Sequence, residues 1–148
     1  MSLETTLILF KPDAIEKSLV GEALNRFETE GNIIRGIKMM NLTPELLAEH
    51  YAHITDRPFY PRLVQFMTST PVIALALEGE NIISSVREKL GATDSPSAEE
   101  GTIRKAYGIN SMFNICHASD SPESAAIELK RFFKPEELFS FHAEDYLK

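Results

Sequence analysis

The chain has a single cysteine, Cys116, so no internal disulfide can staple it. One free thiol fits a reducing compartment, and a cytoplasmic protein is the expectation. No stretch approaches the roughly 18 apolar residues of a membrane helix. The opening residues, M-S-L-E-T-T, lack both a basic segment and an apolar core, so no secretory signal is expected. Basic charge is scarce as well: 15 Lys and Arg stand against 22 Asp and Glu, a net charge of -7. Phosphate backbones need clustered cations, which makes nucleic acid a poor partner. A local basic site for a small phosphate ligand is still compatible with that balance.

The familiar phosphate and metal devices are missing too. There is no G-x-x-x-x-G-K-[ST] and no G-x-G-x-x-G. H-R-D and D-F-G are absent, which excludes the protein-kinase set. No H-E-x-x-H or C-x-x-C indicates zinc. His50 and His53 lie one helical turn apart, but no further ligands accompany them, and a solvated helix face is the plainer reading. Without G-x-S-x-G, Ser119 near His117 does not suggest a hydrolase triad.

What is present is enough for one domain over residues 1–148 with a real core. Thr5 to Phe10 is a short β-rich run stopped by K-P-D, read as a strand and a turn. Val20, Ala23, Leu24 and Phe27 give an apolar helical face within Leu19 to Glu30. Ile33 to Asn41 reads as a second strand. Thr43-Pro44 begins a helix carrying Leu46, Leu47, His50 and Tyr51. A short helix spans about Tyr60 to Met67, a strand Pro71 to Leu77, and a helix Glu80 to Leu90. The polar stretch Ala92 to Glu100 reads as a surface loop. Met112 to Cys116 is a last strand, and Pro122 to Phe133 a last helix.

With the helical insertion between Pro44 and Thr68 set aside, the order is strand, helix, strand, strand, helix, strand. That is the α+β, ferredoxin-like split βαβ arrangement: a four-stranded antiparallel sheet with helices on one face. The inserted helices are expected as a lobe at one edge, with a cleft between lobe and sheet as a natural ligand site.

His117 ends the last apolar run, inside N-I-C-H-A-S-D-S, residues 114 to 121. Taken alone, such a histidine is more often structural than catalytic. A neutral imidazole becomes a nucleophile when an acceptor holds its other nitrogen, and Glu128 on the following helix is a candidate. On its own, Glu128 reads as a solvated helical residue.

These residues resemble the N-x-x-H-G-S-D-S active-site motif of nucleoside diphosphate kinases. The resemblance extends to K-P-D-A from Lys11, to H-Y with D-R-P-F-Y, to S-T-P-V, L-E-G-E-N, L-G-A-T-D and G-T-I-R, and to S-P-E-S-A-A with F-F-K-P-E-E-L. It covers about residues 4 to 139, with the motifs in family order.

The resemblance implies transfer of the terminal phosphate of a nucleoside triphosphate, typically ATP, to a nucleoside diphosphate. His117 would carry the phosphoryl group between two half-reactions, with ping-pong kinetics and low base specificity. It implies Glu128 as the acceptor that orients the imidazole, and Ser119 as the residue that fixes Glu128. Arg87, Thr93 and Arg104 match residues that hold phosphates. Lys11 and Asn114 match those near the sugar hydroxyl and phosphate, and Tyr51 supplies a hydroxyl near the transferred group. Phe59 matches the aromatic that stacks on the base, with Leu63 backing the same face. Magnesium, Mg2+, would arrive with the nucleotide, held by phosphates and waters because no carboxylate cage is visible. A homohexamer, or else a tetramer, is implied, with residues 92–109 and the C-terminal tail at its contacts.

The sequence departs from the family in a few places. Ala14 and Ala118 stand where glycines are usual, and φ below zero is expected at both, since alanine is strained in the left-handed region. Asp94 replaces a common Asn, and Glu99-Glu100 makes its loop more acidic. The alternatives to an enzyme are a catalytically inactive nucleotide-binding protein and an oligomeric interaction protein.

Overall fold

The structure is a computed structural model describing residues 2–142 and 144–147. Strand β1 spans Leu3–Phe10, and its last five residues are all buried. K-P-D then starts a helix rather than a simple turn. Pro12 occupies the first helical position and Asp13 the first turn of α1, Pro12–Glu16, which the sequence reading missed. Helix α2 spans Val20–Glu28 and buries Ala23 and Phe27. Strand β2 spans Ile33–Met40. Helix α3, Pro44–His50, is capped by Thr43, whose hydroxyl accepts from the Leu46 N–H. Helix α4 spans Tyr60–Met67 and strand β3 spans Val72–Glu80.

Helix α5 covers Ile82–Leu90. After the stretch expected as loop, and not foreseen from the sequence, comes a five-residue helix α6, Ile103–Tyr107, capped by Thr102. Strand β4 is Cys116–Ala118, and helix α7 is Pro122–Phe132 with Ser121 as its cap. Among the described residues, no helix is long and apolar enough to cross a membrane.

The four strands form one antiparallel sheet in the order β2-β3-β1-β4, the ferredoxin-like arrangement. Contrary to expectation, the helices cover both faces. Along β1, Ile8 and Phe10 point to a core shared with Ala23 and Phe27 of α2 and with Ile82 and Val86 of α5. Leu7 and Leu9 point the other way, into a core with Leu47 of α3, Leu63 and Met67 of α4, and Phe132 of α7. The L-I-L-F run explains this. A strand buried on both faces is continuously apolar rather than alternating. The inserted helices therefore share the second face with α7 instead of standing apart at an edge.

The last strand also sits later than expected. Its pairs are Leu9 with His117 and Ile8 with Ala118, so His117 lies within β4 and not after a Met112–Cys116 strand. The residues before it are spent on turns. Asn110 Oδ1 accepts from the N–H groups of Met112 and Phe113 at 2.9 and 2.8 Å. Ile115 then takes φ 77°, which ends any extended run. Ala14, in α1, and Ala118, in β4, both have negative φ as expected. Among the described non-glycine residues the left-handed values belong to Ser18, Asn81 and Ile115.

Candidate active site

Where the ends of β1 and β4 meet α3, α4 and α7, the fold leaves a cleft of about 900 Å³. Every site residue singled out from the sequence except Ser119 lines it. Ser119 lies just below, fully buried.

His117 forms the floor. Its Nε2 is 3.0 Å from Glu128 Oε1, reached from the second turn of α7. The same oxygen accepts from the Ser119 hydroxyl at 2.7 Å, and that hydroxyl accepts from the Leu7 N–H at 3.2 Å. Burial alone would push the Glu128 carboxyl up. The hydrogen bond and charge of His117, with the Ser119 hydroxyl, more than offset it, and the net direction is down. An ionised Glu128 only accepts, so Nε2 carries the imidazole proton and Nδ1 keeps its lone pair.

Cations close one wall. Lys11 Nζ donates to Asn114 Oδ1 at 2.7 Å and to the Met112 carbonyl at 3.4 Å. Burial, and then the charge of Arg104, lowers its pKa to about 8. Asn114 is a hub, for its Nδ2 also donates to the carbonyls of Thr93 and Ser111. Arg104 donates to the carbonyls of Asn114, Gly91 and Cys116, the last at 2.6 Å. Gly91 has φ 89°, and a Cβ there would strike the Thr102 side chain, so glycine is required where that carbonyl turns toward Arg104. A guanidinium has five N–H donors, and two on Arg104 remain for a ligand. Arg87 donates to the Ala118 carbonyl at 3.3 Å, one residue past His117. Thr93 stands exposed on the rim.

At the outer end, Phe59 is 47 % exposed while Leu63 behind it is buried. Tyr51 packs its ring edge-on against His50. Burial, with Glu128 nearby, drives its phenol well above the usual range, so it stays protonated and can donate. Asp94 is occupied by the hydroxyls of Ser97 and Ser111. Glu99 and Glu100 are exposed, with Glu99 facing an adjoining depression it shares with Arg87 and Thr93.

The sequence reading missed four residues. His50, taken for a solvated position, is 7 % exposed and stacks edge-on against His117 with ring centres 4.6 Å apart. Its spacing of three from Leu47, on the buried face of α3, was the available signal. His53 is exposed, as expected. Arg131, one turn beyond Glu128, donates to His50 Nδ1 at 2.9 Å. Asp13 accepts from the Ile115 N–H at 3.0 Å through Oδ2. Ile115 itself is a fully buried β-branched residue in the left-handed region, at the centre of a turn closed by the Cys116 N–H on the Asn114 carbonyl. Nothing in its side chain announces that conformation. The Lys11 N–H on the Ile115 carbonyl and the Asp13 carboxylate hold it there, and the turn sets where β4 begins and how His117 enters the cleft.

Among the described residues, His50, His117 and Glu128 bring ligating atoms within 4.8 Å of one another. The Arg131 cation on His50, and the nitrogen-rich set, fit poorly with Mg2+, which prefers oxygen. A nucleophilic nitrogen held by a carboxylate and faced by Lys11, Arg87 and Arg104 is suited instead to taking up and releasing an anionic group.

A family model described as nucleoside diphosphate kinase matches residues 4–138. A Parabacteroides distasonis protein of that name is 45% identical over 145 residues, 98% of this chain and 95% of its own. One from Carboxydothermus hydrogenoformans is 46% identical, over 94% of this chain and 93% of its own. Among solved structures, the Halobacterium salinarum nucleoside diphosphate kinase in complex with CDP superposes with a TM-score of 0.92. It is 37% identical, over 99% of this chain and 97% of that one. These relatives offer no support for an inactive binding protein.

Proposed function

The chain belongs to the nucleoside diphosphate kinase family and moves phosphate between nucleotides, and on that premise we propose that His117 carries the phosphoryl group in transit. The Nδ1 lone pair attacks the terminal phosphorus of a nucleoside triphosphate. The bond to the bridging oxygen breaks, and its electron pair leaves with the diphosphate. In the second half-reaction a terminal oxygen of an acceptor diphosphate attacks the same phosphorus, and the P–N pair returns to Nδ1. Glu128 keeps the proton on Nε2 throughout and stabilises the charge that develops on the ring. Ser119 holds Glu128 in place.

Phosphoryl transfer depends on positioning and charge stabilisation. Lys11, Arg87 and Arg104 supply cationic donors for the phosphates, and Thr93 and Tyr51 supply hydroxyls. Asn114 orients Lys11 at the sugar end. Phe59, backed by Leu63, stacks on the base. Stacking tolerates any π face, which accounts for low base specificity. Mg2+ would be held by the phosphates and waters, with the exposed Asp120 carboxylate on the cleft wall offering an oxygen to that water shell. The ion would neutralise phosphate charge.

We further propose one domain over residues 1–148, cytoplasmic, assembled as a homohexamer with a tetramer as the other possibility. Ile109 at 57 % exposure and Phe139 at 60 % suit contacts through residues 92–109 and the C-terminal tail. Met1, and Ala143 and Lys148 of that tail, lie outside the described residues. Light scattering at micromolar concentration tests the assembly.

The observation that carries the catalytic assignment is the 3.0 Å contact between His117 Nε2 and Glu128 on the floor of a cation-lined cleft. Incubation with labelled ATP is expected to leave an acid-labile, alkali-stable phosphate on the chain and none on His117→Asn. Equal labelling of both proteins refutes the assignment.

A further inference from the structure

We propose that Arg131 is a positioning residue for the phosphoryl carrier: it locks His50 as a neutral, Nε2-protonated ring and so reserves Glu128 for His117. This rests on the assignment of His117 as carrier. The argument starts from valence. A guanidinium has donors and no acceptor, so the 2.9 Å contact from Arg131 Nη1 requires a lone pair on His50 Nδ1. The proton of a neutral His50 must then sit on Nε2. That atom is buried and has no partner among the described residues.

The setting makes the choice of form matter. A ring nitrogen of His50 lies within 4.8 Å of ligating atoms of both His117 and Glu128. A cationic His50 would compete with His117 for the Glu128 carboxylate, and the carrier would lose its orienting partner. Charged and titratable groups reach His50 from each packed element. Glu49 and Tyr51 come from α3 and the residue after it, and Glu128 and Arg131 from α7. His117 comes from β4 and Lys11 from the end of β1. Burial is the largest influence against a charged His50, lowering its pKa to about 3, with His117, Arg131 and Lys11 adding to it and Glu128 opposing. Arg131 is the one that also occupies the protonation site. Its side chain is 12% exposed, and its charge is balanced by Glu49, 3.5 Å from Nε and mostly in solvent. Glu128 and Arg131 are three residues apart on α7, so one helix face delivers an acceptor to one imidazole and a donor to the other.

Long-range proton–nitrogen correlation spectra of the full chain with isotope-labelled histidine test the lock directly. His50 is expected to show a proton on Nε2 and a bare acceptor at Nδ1 down to about pH 6. A proton on Nδ1, or a cationic ring, overturns the proposal without any variant. The second test reads the same spectra in Arg131→Met, where the His50 proton is expected to divide between Nδ1 and Nε2 and single-turnover phosphorylation of His117 to slow. Arg131→Lys should restore both. An unchanged His50 tautomer in Arg131→Met overturns the proposal. If the unaltered chain forms no phosphohistidine at all, the carrier assignment fails instead, and the His50 tautomer still decides the pairing.

Discussion

Lys11 offers the most direct quantitative test of the cleft's electrostatics. The residue is 6 % exposed, and burial with Arg104 brings its pKa from 10.5 to about 8. A fall of that size corresponds to about 3 kcal/mol of unfavourable free energy for the charged form in the empty cleft. The sign follows from which state holds the proton. Below about pH 8 both folded and unfolded chains are charged at Lys11, and the folded state bears the full cost. Between about pH 8 and 10.5 the unfolded chain holds more proton, so this group's contribution makes the fold more stable as pH rises.

Activity should run the opposite way, because phosphates need the cation. In the free enzyme the ammonium is about 90% lost one unit above its pKa, so kcat/KM should fall roughly tenfold by about pH 9. A bound nucleotide brings negative charge and raises the pKa, so kcat alone should hold to a higher pH. Initial rates with a triphosphate–diphosphate pair across that range, at saturating and subsaturating substrate, separate the two. Lys11→Arg cannot lose its proton, and its kcat/KM should be lower overall but flat through pH 9. A wild-type profile flat to that pH, or the same descending limb in Lys11→Arg, refutes the reasoning.

Ser119→Ala removes a charge-assisted hydrogen bond to Glu128 and strands the buried Leu7 N–H, so urea denaturation should show a loss of about 3 kcal/mol, with reduced kcat. Asp13→Ala leaves the Ile115 N–H without its acceptor and frees the turn before His117; it should cost about 2 kcal/mol by the same method, and kcat should fall while KM holds. Phe59→Ala should leave the melting temperature nearly unchanged, because the ring is half exposed, and should raise the nucleotide KM by the roughly 1–3 kcal/mol of a base–aromatic stack.

What could be read from the chain and what could not divide along a physical line. The strands and long helices follow from apolar period and caps: Thr43 caps its helix as expected, and Ser121 caps α7 in the same way. The residues of the cleft were legible because they sit in a recognisable set of motifs, and the structure gathers them in one place. Coverage of both sheet faces was written in the uninterrupted L-I-L-F run, but that pattern was read only as burial. The placement of β4 was not legible, because it turns on Ile115, whose left-handed backbone is imposed by Asp13 and Lys11 about a hundred residues away. Arg131 was hidden for a similar reason. A charged residue on a helix looks solvated until a second element, here α3, brings His50 over it.

That division also says how the site is kept rigid. The cleft's cations are tied mainly to backbone oxygen and amide rather than to carboxylates: Arg104 to three carbonyls, Arg87 to one, Lys11 to Asn114 and a carbonyl. Carbonyl dipoles orient a guanidinium without cancelling its charge, so these groups still favour an incoming phosphate. The carboxylate that does face His117 is engaged by an imidazole and a hydroxyl. These fixed carbonyls come from Gly91 and from residues 112–118, and the second segment contains the strained turn at Ile115. Strain of about 1–3 kcal/mol in that turn is sustained by the fully buried Ile115 side chain and the Asp13 acceptor, so buried contacts fix where His117 enters the cleft.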